Sequence, residues 1–290
     1  MEPPRIFDAG LRRRRRDRAK PRFADHGFVR EAMVEGLLDR LSAVTRAFAK
    51  ALDLGCADGT LTRALRAHGL TVTPCDAGAR FAAAAHGVEC EEQALPFAPA
   101  SFDLIVSAGV LDTVDDLPGV LIQCRRTLQA DGLFLAAFVG AGSLATLKAA
   151  VRAADDAIGG ATPARFHPQI DVRSAGDLLA RAGFALPVAD VETLEVRYGS
   201  VARLVADLRG MAGTNQLAGQ TPPAFGRARR EALAEAFAAR AEPDGRIRER
   251  FELIFLTGWA PAPDQPQPAR RGSATVSLAQ ALTEARREGR

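Results

Sequence analysis

The strongest constraint on this chain is Leu52-Asp53-Leu54-Gly55-Cys56-Ala57-Asp58-Gly59, a run of small residues between an apolar stretch and a helical one. Ala51 to Leu54 reads as a short strand, and Thr60 to His68 as a helix. The turn between them must let a ligand approach the backbone, which only small residues permit. The helix that follows points free N–H groups and the positive end of its dipole at that ligand. A carboxylate can use those donors, and Asp53 at the strand end can meet an ammonium. Ala57 stands where such turns carry a middle glycine, and alanine suits that place if its φ is negative. Taken alone, a glycine-bearing turn needs no ligand at all.

A second element narrows the reading. TVTPCD (71–76) is a strand that closes on Asp76. In dinucleotide-type folds a carboxylate at the end of the second strand, about 20 residues after the turn, accepts hydrogen bonds from ribose hydroxyls. By itself Asp76 would serve equally as a helix N-cap. Turn and acid together point to a nucleoside-bearing ligand.

The rest of the chain supplies the frame. Residues 28–41 form an amphipathic helix with Phe28, Met33, Leu37, Leu38 and Leu41 on one face. Further strands are expected at 87–91, 102–109, 133–139, 186–190, 193–198 and 251–259, with helices at 77–86, 116–128, 143–158, 174–182, 200–211 and 224–241. Strands alternating with helices mean βαβ units and a parallel sheet. The chain divides into a basic N-terminal segment (1–27), a main domain (28–260) and a flexible tail (261–290) whose last stretch forms a short helix. Within the main domain, 45–140 carry the cofactor half and 141–245 the cap elements.

A third element carries a resemblance. Glu91-Glu92-Gln93-Ala94-Leu95-Pro96-Phe97, followed by Ser101-Phe102-Asp103-Leu104-Ile105-Val106-Ser107, resembles the acid–LPF…FDxV pattern of class I methyltransferases. Nicotinamide dehydrogenases have no such segment. The resemblance implies S-adenosylmethionine as cofactor, with Glu91 in the place of the acid that contacts adenine and Gln93 where an acid is common. The cofactor set is then Asp53, Gly55, Cys56, Ala57, Gly59, Asp76, Glu91, Gln93 and Ser107. It also implies an α/β, Rossmann-like fold: a seven-stranded, mostly parallel sheet with helices on both faces and helical cap elements.

Segments outside the cofactor half extend the match. IFDAGLRRRRRDRA, VDDLPGVLIQCRRTLQADGLFLAAFVGAGSL (114–144), DLLARAGFALP (177–187), VRYGSVARLVADLRGMAGTN (196–215) and FELIFLTGWAP (251–261) resemble the arginine-hydroxylase family that assists assembly of respiratory complex I. The malonyl-carrier-protein methyltransferase of biotin synthesis shares that fold. What this implies is oxygen-dependent hydroxylation of an arginine on a protein partner, a complex I subunit, with peripheral contact to membrane-bound assembly intermediates. Tyr198, Asp207, Arg209 and Asn215 become substrate-site candidates, although Tyr198 could equally pack and Asp207–Arg209 could be a solvated helix face. Two stretches depart from the family: Thr113 replaces a Trp in Leu111–Pro118, and Gly140–Ser143 differs from a GGxT-like turn. A conventional methyltransferase and a non-catalytic assembly chaperone are the other readings.

Composition excludes more than it selects. The net charge of +3 does not call for nucleic acid. The Arg12–Arg16 run reads as a solvated helix face, with docking on an acidic protein or anionic lipid as its functional alternative, and no aromatics interleave with it for stacking on bases. Cys56, Cys75, Cys90 and Cys124 form no CxxC and read as small buried residues. The four histidines are scattered, so no metal site is expected. No stretch is apolar for the roughly 18 residues a membrane helix needs, and no apolar stretch follows the N-terminal charges. A cytoplasmic location is expected.

Overall fold

Seven strands form one sheet: β1 (Lys50–Leu54), β2 (Thr71–Asp76), β3 (Val88–Glu89), β4 (Phe102–Ala108), β5 (Leu128–Val139), β6 (Ala185–Tyr198) and β7 (Ile247–Trp259). Their spatial order is β3-β2-β1-β4-β5-β7-β6. Among the described strands, β7 runs against the direction of the other six, antiparallel to both β5 and β6. The computed structural model describes residues 5–159, 164–219, 226–263 and 265. The helix expected at the end of the tail lies outside them.

Burial on both faces explains the near-continuous apolar strands. Along β5, Leu133, Leu135 and Ala137 meet one cluster while Phe134, Ala136 and Phe138 meet the other, the period of two a strand imposes. The first cluster takes in α2 (Phe28–Ser42), α3 (Thr60–Ala67), α6 (Ala145–Ile158), α8 (Val201–Gly210) and α9 (Arg227–Ala238). The second takes in α5 (Leu117–Thr127) and α7 (Val172–Arg181). The four cysteines are all buried and unpaired.

The strands expected at 186–190 and 193–198 are one strand, because β7 pairs with it in unbroken register from Val188 to Tyr198. The strand expected at 87–91 shrinks to two residues at the sheet edge. Among the described residues, no helix is long and apolar enough to cross a membrane.

The arginine run departs from expectation. Helix α1 (Ala9–Ala19) is capped by Asp8, whose side chain accepts from Leu11 N. Its faces differ: Arg13 and Arg14 are exposed, whereas Arg12 and Arg16, one turn apart, are 2% and 7% exposed. These two are therefore not a solvated face. Carboxylates far away in the chain offset the cost of burying them.

Candidate functional site

The strand order reverses between β1 and β4, since β2 and β3 lie to one side of β1 and β5 to the other side of β4. Open α/β sheets bind ligands at such a crevice, outside the C-terminal ends of the strands. The Gly55–Gly59 turn leaves β1 there, beside the Gly109–Thr113 segment that follows β4.

Gly55 and Gly59 both have positive φ, +84° and +76°. Gly59 caps α3 without a side chain. The turn hangs from β2, with the N–H groups of Gly55 and Cys56 both donating to Cys75 O at 2.9 Å. Contrary to the sequence expectation, Ala57 also has positive φ, +45°. A non-glycine residue there costs about 1–2 kcal/mol, and the conformation aims Ala57 N–H at Asp76 Oδ2, 3.0 Å away. Arg30 of α2 clamps the same turn, donating to Gly55 O, Cys56 O and Asp58 Oδ1 at 3.3, 3.1 and 3.0 Å. Arg30 was missed from sequence, yet a signal existed: it falls on the apolar stripe of its helix, three residues before Met33 and seven before Leu37.

Asp53 is fully buried. Its Oδ2 accepts from Thr62 Oγ1 at 2.5 Å, while Oδ1 has no hydrogen-bond partner among the described residues. Burial pushes its carboxyl up to about 6, against the opposing pull of Arg30. An unsatisfied buried carboxylate oxygen is costly and suits a donor brought in by a ligand.

Asp76 is also buried, but saturated. Gly78 N–H and Arg16 Nε donate to Oδ1, both at 2.7 Å, while Ala57 N–H and Arg16 Nη2 donate to Oδ2. Burial alone would raise its pKa; the Arg16 guanidinium outweighs it and holds the carboxyl below its ordinary value. Glu92 is the parallel case. Arg12 grips both its oxygens, at 2.6 and 2.8 Å, and also donates to Thr113 Oγ1 at 3.0 Å. Thr113 thus faces the site as a partner of Arg12. Glu91, the expected adenine acid, is partly exposed and lies 3.4 Å from both Arg12 and Arg13.

Several candidates serve the scaffold. Gln93 accepts from Asp116 N with its side chain and from Gln123 with its carbonyl, tying down the start of α5. Ser107 is buried and donates to Leu54 O at 2.8 Å, joining β4 to β1. Cys56 is buried, and burial raises its thiol well above the ordinary value.

A cavity of about 900 Å³ opens on the other side of α1. Its apolar wall includes Leu147, Val151, Val201, Leu208, Leu233 and Phe251. Among the described residues, eight arginines and lysines line it, against the single carboxylate of Asp112. Burial pushes that carboxyl up to about 6. His167, on the same wall, is pushed down to about 4 by burial and Arg15, and its Nε2 accepts from Gln216 N. Of the four substrate candidates, Arg209 and Asn215 line the cavity; Tyr198 and Asp207 do not. Asp207 pairs with His26 at 2.8 Å, and Tyr198 is buried at the end of β6. Among the described residues, no group of three or more His, Cys, Asp or Glu could hold a metal.

Comparison with known proteins agrees with this frame. A methyltransferase domain family matches residues 52–136. The chain is 30% identical to zebrafish "Arginine-hydroxylase NDUFAF5, mitochondrial", over 94% of this chain and 88% of that protein. It is 29% identical to the malonyl-[acyl-carrier protein] O-methyltransferase of Laribacter hongkongensis, over 85% and 87%. The crystal structure of YcgJ from Bacillus subtilis shares the fold, with a TM-score of 0.54 at 16% identity over 79% of this chain and 98% of that one.

Proposed function

The chain belongs to the class I methyltransferase-fold family that includes arginine-hydroxylase NDUFAF5, and from that premise we propose that it is an S-adenosylmethionine-using enzyme that modifies a protein partner, by arginine hydroxylation of a respiratory complex I subunit. The observation that carries this reading is the extent of the similarity. It spans 94% of the chain, well beyond the cofactor half, and so takes in the cap segments that wall the cavity. A cytoplasmic location and peripheral contact with assembly intermediates belong to the same proposal.

The residues present fit the cofactor. Asp53 Oδ1, buried and unpartnered, suits its ammonium. The turn from Gly55 to Gly59 suits its carboxylate, and Asp76 its ribose diol once Arg16 gives way. When bound, the group supplies an electrophilic sulfonium methyl. The chain's own contribution is to hold that ligand on the β1 side of α1 and the acceptor on the other.

A second reading is favoured by one observation, the cation-rich lining of the cavity. Such a wall attracts an anionic acceptor and repels a guanidinium. That favours methyl transfer to a carboxylate, where positioning of two reactants does most of the work. Mass spectrometry of a complex I subunit incubated with the enzyme, cofactor, dioxygen and a reductant separates the two. A gain of one oxygen atom on an arginine supports the first. A gain of one methylene on an acid supports the second. An unmodified partner that still binds sinks the first and favours an assembly chaperone, while methyl transfer to a small or carrier-bound acid is checked with that acid as acceptor.

A pH effect follows from Asp53. Its partner ammonium needs the ionised carboxylate, so affinity for S-adenosylhomocysteine is expected to rise with pH, with a midpoint near 6. Arg30, Asp58 and Asp76 also act on this group. Asp53→Asn should flatten the profile in calorimetry. Stability moves the other way. The folded value lies above the ordinary 3.8, so the contribution of Asp53 to stability is complete below that value and is lost as pH rises through about 6.

A further inference from the structure

We infer that α1 is a displaceable strap over the cofactor turn, with Arg16 holding Asp76 in place of the ribose diol, so that the cofactor enters by taking that carboxylate from Arg16 and lifting α1. This rests on the cofactor reading above. The first observation is the saturation of Asp76: its two oxygens already accept from four donors, two of them on Arg16. A carboxylate offers about four acceptor positions. Ribose hydroxyls therefore compete with Arg16 and cannot simply add to it.

The second observation is lack of space. A Cβ at Gly78 would lie 3.0 Å from Arg16 Cβ, so α1 rests directly on the end of β2. Ala57 is buried in one cluster with Ala19 of α1 and with Phe23, Phe81 and Ala212. Because the Arg16 Cβ itself crowds Gly78, moving the guanidinium alone leaves α1 against this end of the site.

The third observation is position. Leu11, Arg12, Arg15, Arg16 and Arg18 line the cavity, whereas no residue from Asp53 to Gly59 does, nor does Asp76. Helix α1 is thus the partition between cofactor turn and acceptor cavity. Lifting it joins the two into one site, so the strap also keeps the acceptor side closed off until the cofactor is present.

The fourth observation is how α1 is held. Its buried residues are Arg12, Arg16 and Ala19, with no large apolar side chain among them. Most attachments are polar: Arg12 to Glu92, Arg16 to Asp76, and Asp17 Oδ1 accepting from Arg80 N at 3.0 Å, with Ala19 and the Arg16 guanidinium also against Phe81. Few buried apolar contacts resist opening of such a segment, so the cost of lifting α1 lies in its ion pairs, Arg16 with Asp76 and Arg12 with Glu92. An incoming ligand that offers its own donors to Asp76 can offset that cost.

Calorimetry with S-adenosylhomocysteine on wild type and Arg16→Gln tests the competition. The variant is expected to bind about tenfold tighter, within the usual range for coupled sites; equal or weaker binding overturns the strap. Limited trypsinolysis of the wild-type protein gives a reading that does not depend on the variant's folding. The helix carries six arginines between positions 12 and 18. Cleavage there should be slow in the free protein and several-fold faster with S-adenosylhomocysteine. Protection of α1 by the ligand overturns the strap while leaving the cofactor reading intact. Absence of binding to both proteins overturns the cofactor reading itself, and the strap with it.

Discussion

Asp76→Ala is expected to destabilise the protein by about 3–5 kcal/mol and to remove measurable cofactor affinity. The stability loss comes from Arg16, which is 7% exposed and donates two hydrogen bonds to Asp76. Removing one partner of a buried ion pair leaves an uncompensated charge, which costs this much. The N–H groups of Ala57 and Gly78 lose their acceptor as well. In a chain of this size, each kcal/mol corresponds to roughly 2–4 °C in melting temperature, so the shift is large enough to read by calorimetry. The pH dependence follows from the same pair. The folded pKa of Asp76 lies below its ordinary 3.8. Its stabilising contribution is therefore present above that value and is lost as pH falls through the folded one. The difference between variant and wild type should narrow in strong acid. Arg16→Gln makes the useful contrast: both changes break one ion pair, but only Asp76→Ala removes the ribose partner. Their effects on affinity are expected to have opposite signs.

Gly55→Ala is the second large effect, about 2–5 kcal/mol of stability together with loss of the cofactor turn. Two costs combine. The φ of +84° is left-handed, which costs alanine about 1–2 kcal/mol. The new methyl would also lie 2.5 and 2.6 Å from the two γ-carbons of Val110, a buried side chain. Overpacking of that kind costs about 1–3 kcal/mol. Gly59→Ala isolates the first cost. Its φ is +76°, but the nearest atom is Arg63 Nη1 at 3.4 Å, the far end of a flexible side chain. A melting shift for Gly59→Ala as large as that for Gly55→Ala would sink the steric argument. The double variant Gly55→Ala, Val110→Ala should recover the part of the loss that is contact with Val110.

Two of the cofactor-set candidates also have partners in the scaffold. Gln93 and Ser107 sit in segments that border the cofactor site, yet their side chains bond to Asp116 N and Leu54 O. Residues beside a site are shared between the site and the structure that holds it, and sequence position does not separate the two. Glu91 and Glu92 illustrate the same limit. Adjacent residues in an irregular segment can face in very different directions, and here Glu92 is the one turned inward to Arg12.

Local sequence determined the elements and the placing of the turn. A near-continuous apolar run marks β5 because both faces of the sheet are covered. Small residues at 55–59 mark the turn because a side chain at Gly55 would strike Val110. Asp76 at the end of β2 and Asp53 at the end of β1 could be read for the same local reason. Tertiary structure alone decided what these acids meet. The partners of Asp76 and Glu92 lie 60 and 80 residues away in α1. Locally, Arg12 and Arg16 look like any charged helix face, because the carboxylates that offset their desolvation come from other parts of the chain. The φ of Ala57 has the same origin: its strain persists because Asp76 accepts its N–H. Burying a charge is a pairwise matter, settled only when the sheet brings both partners together.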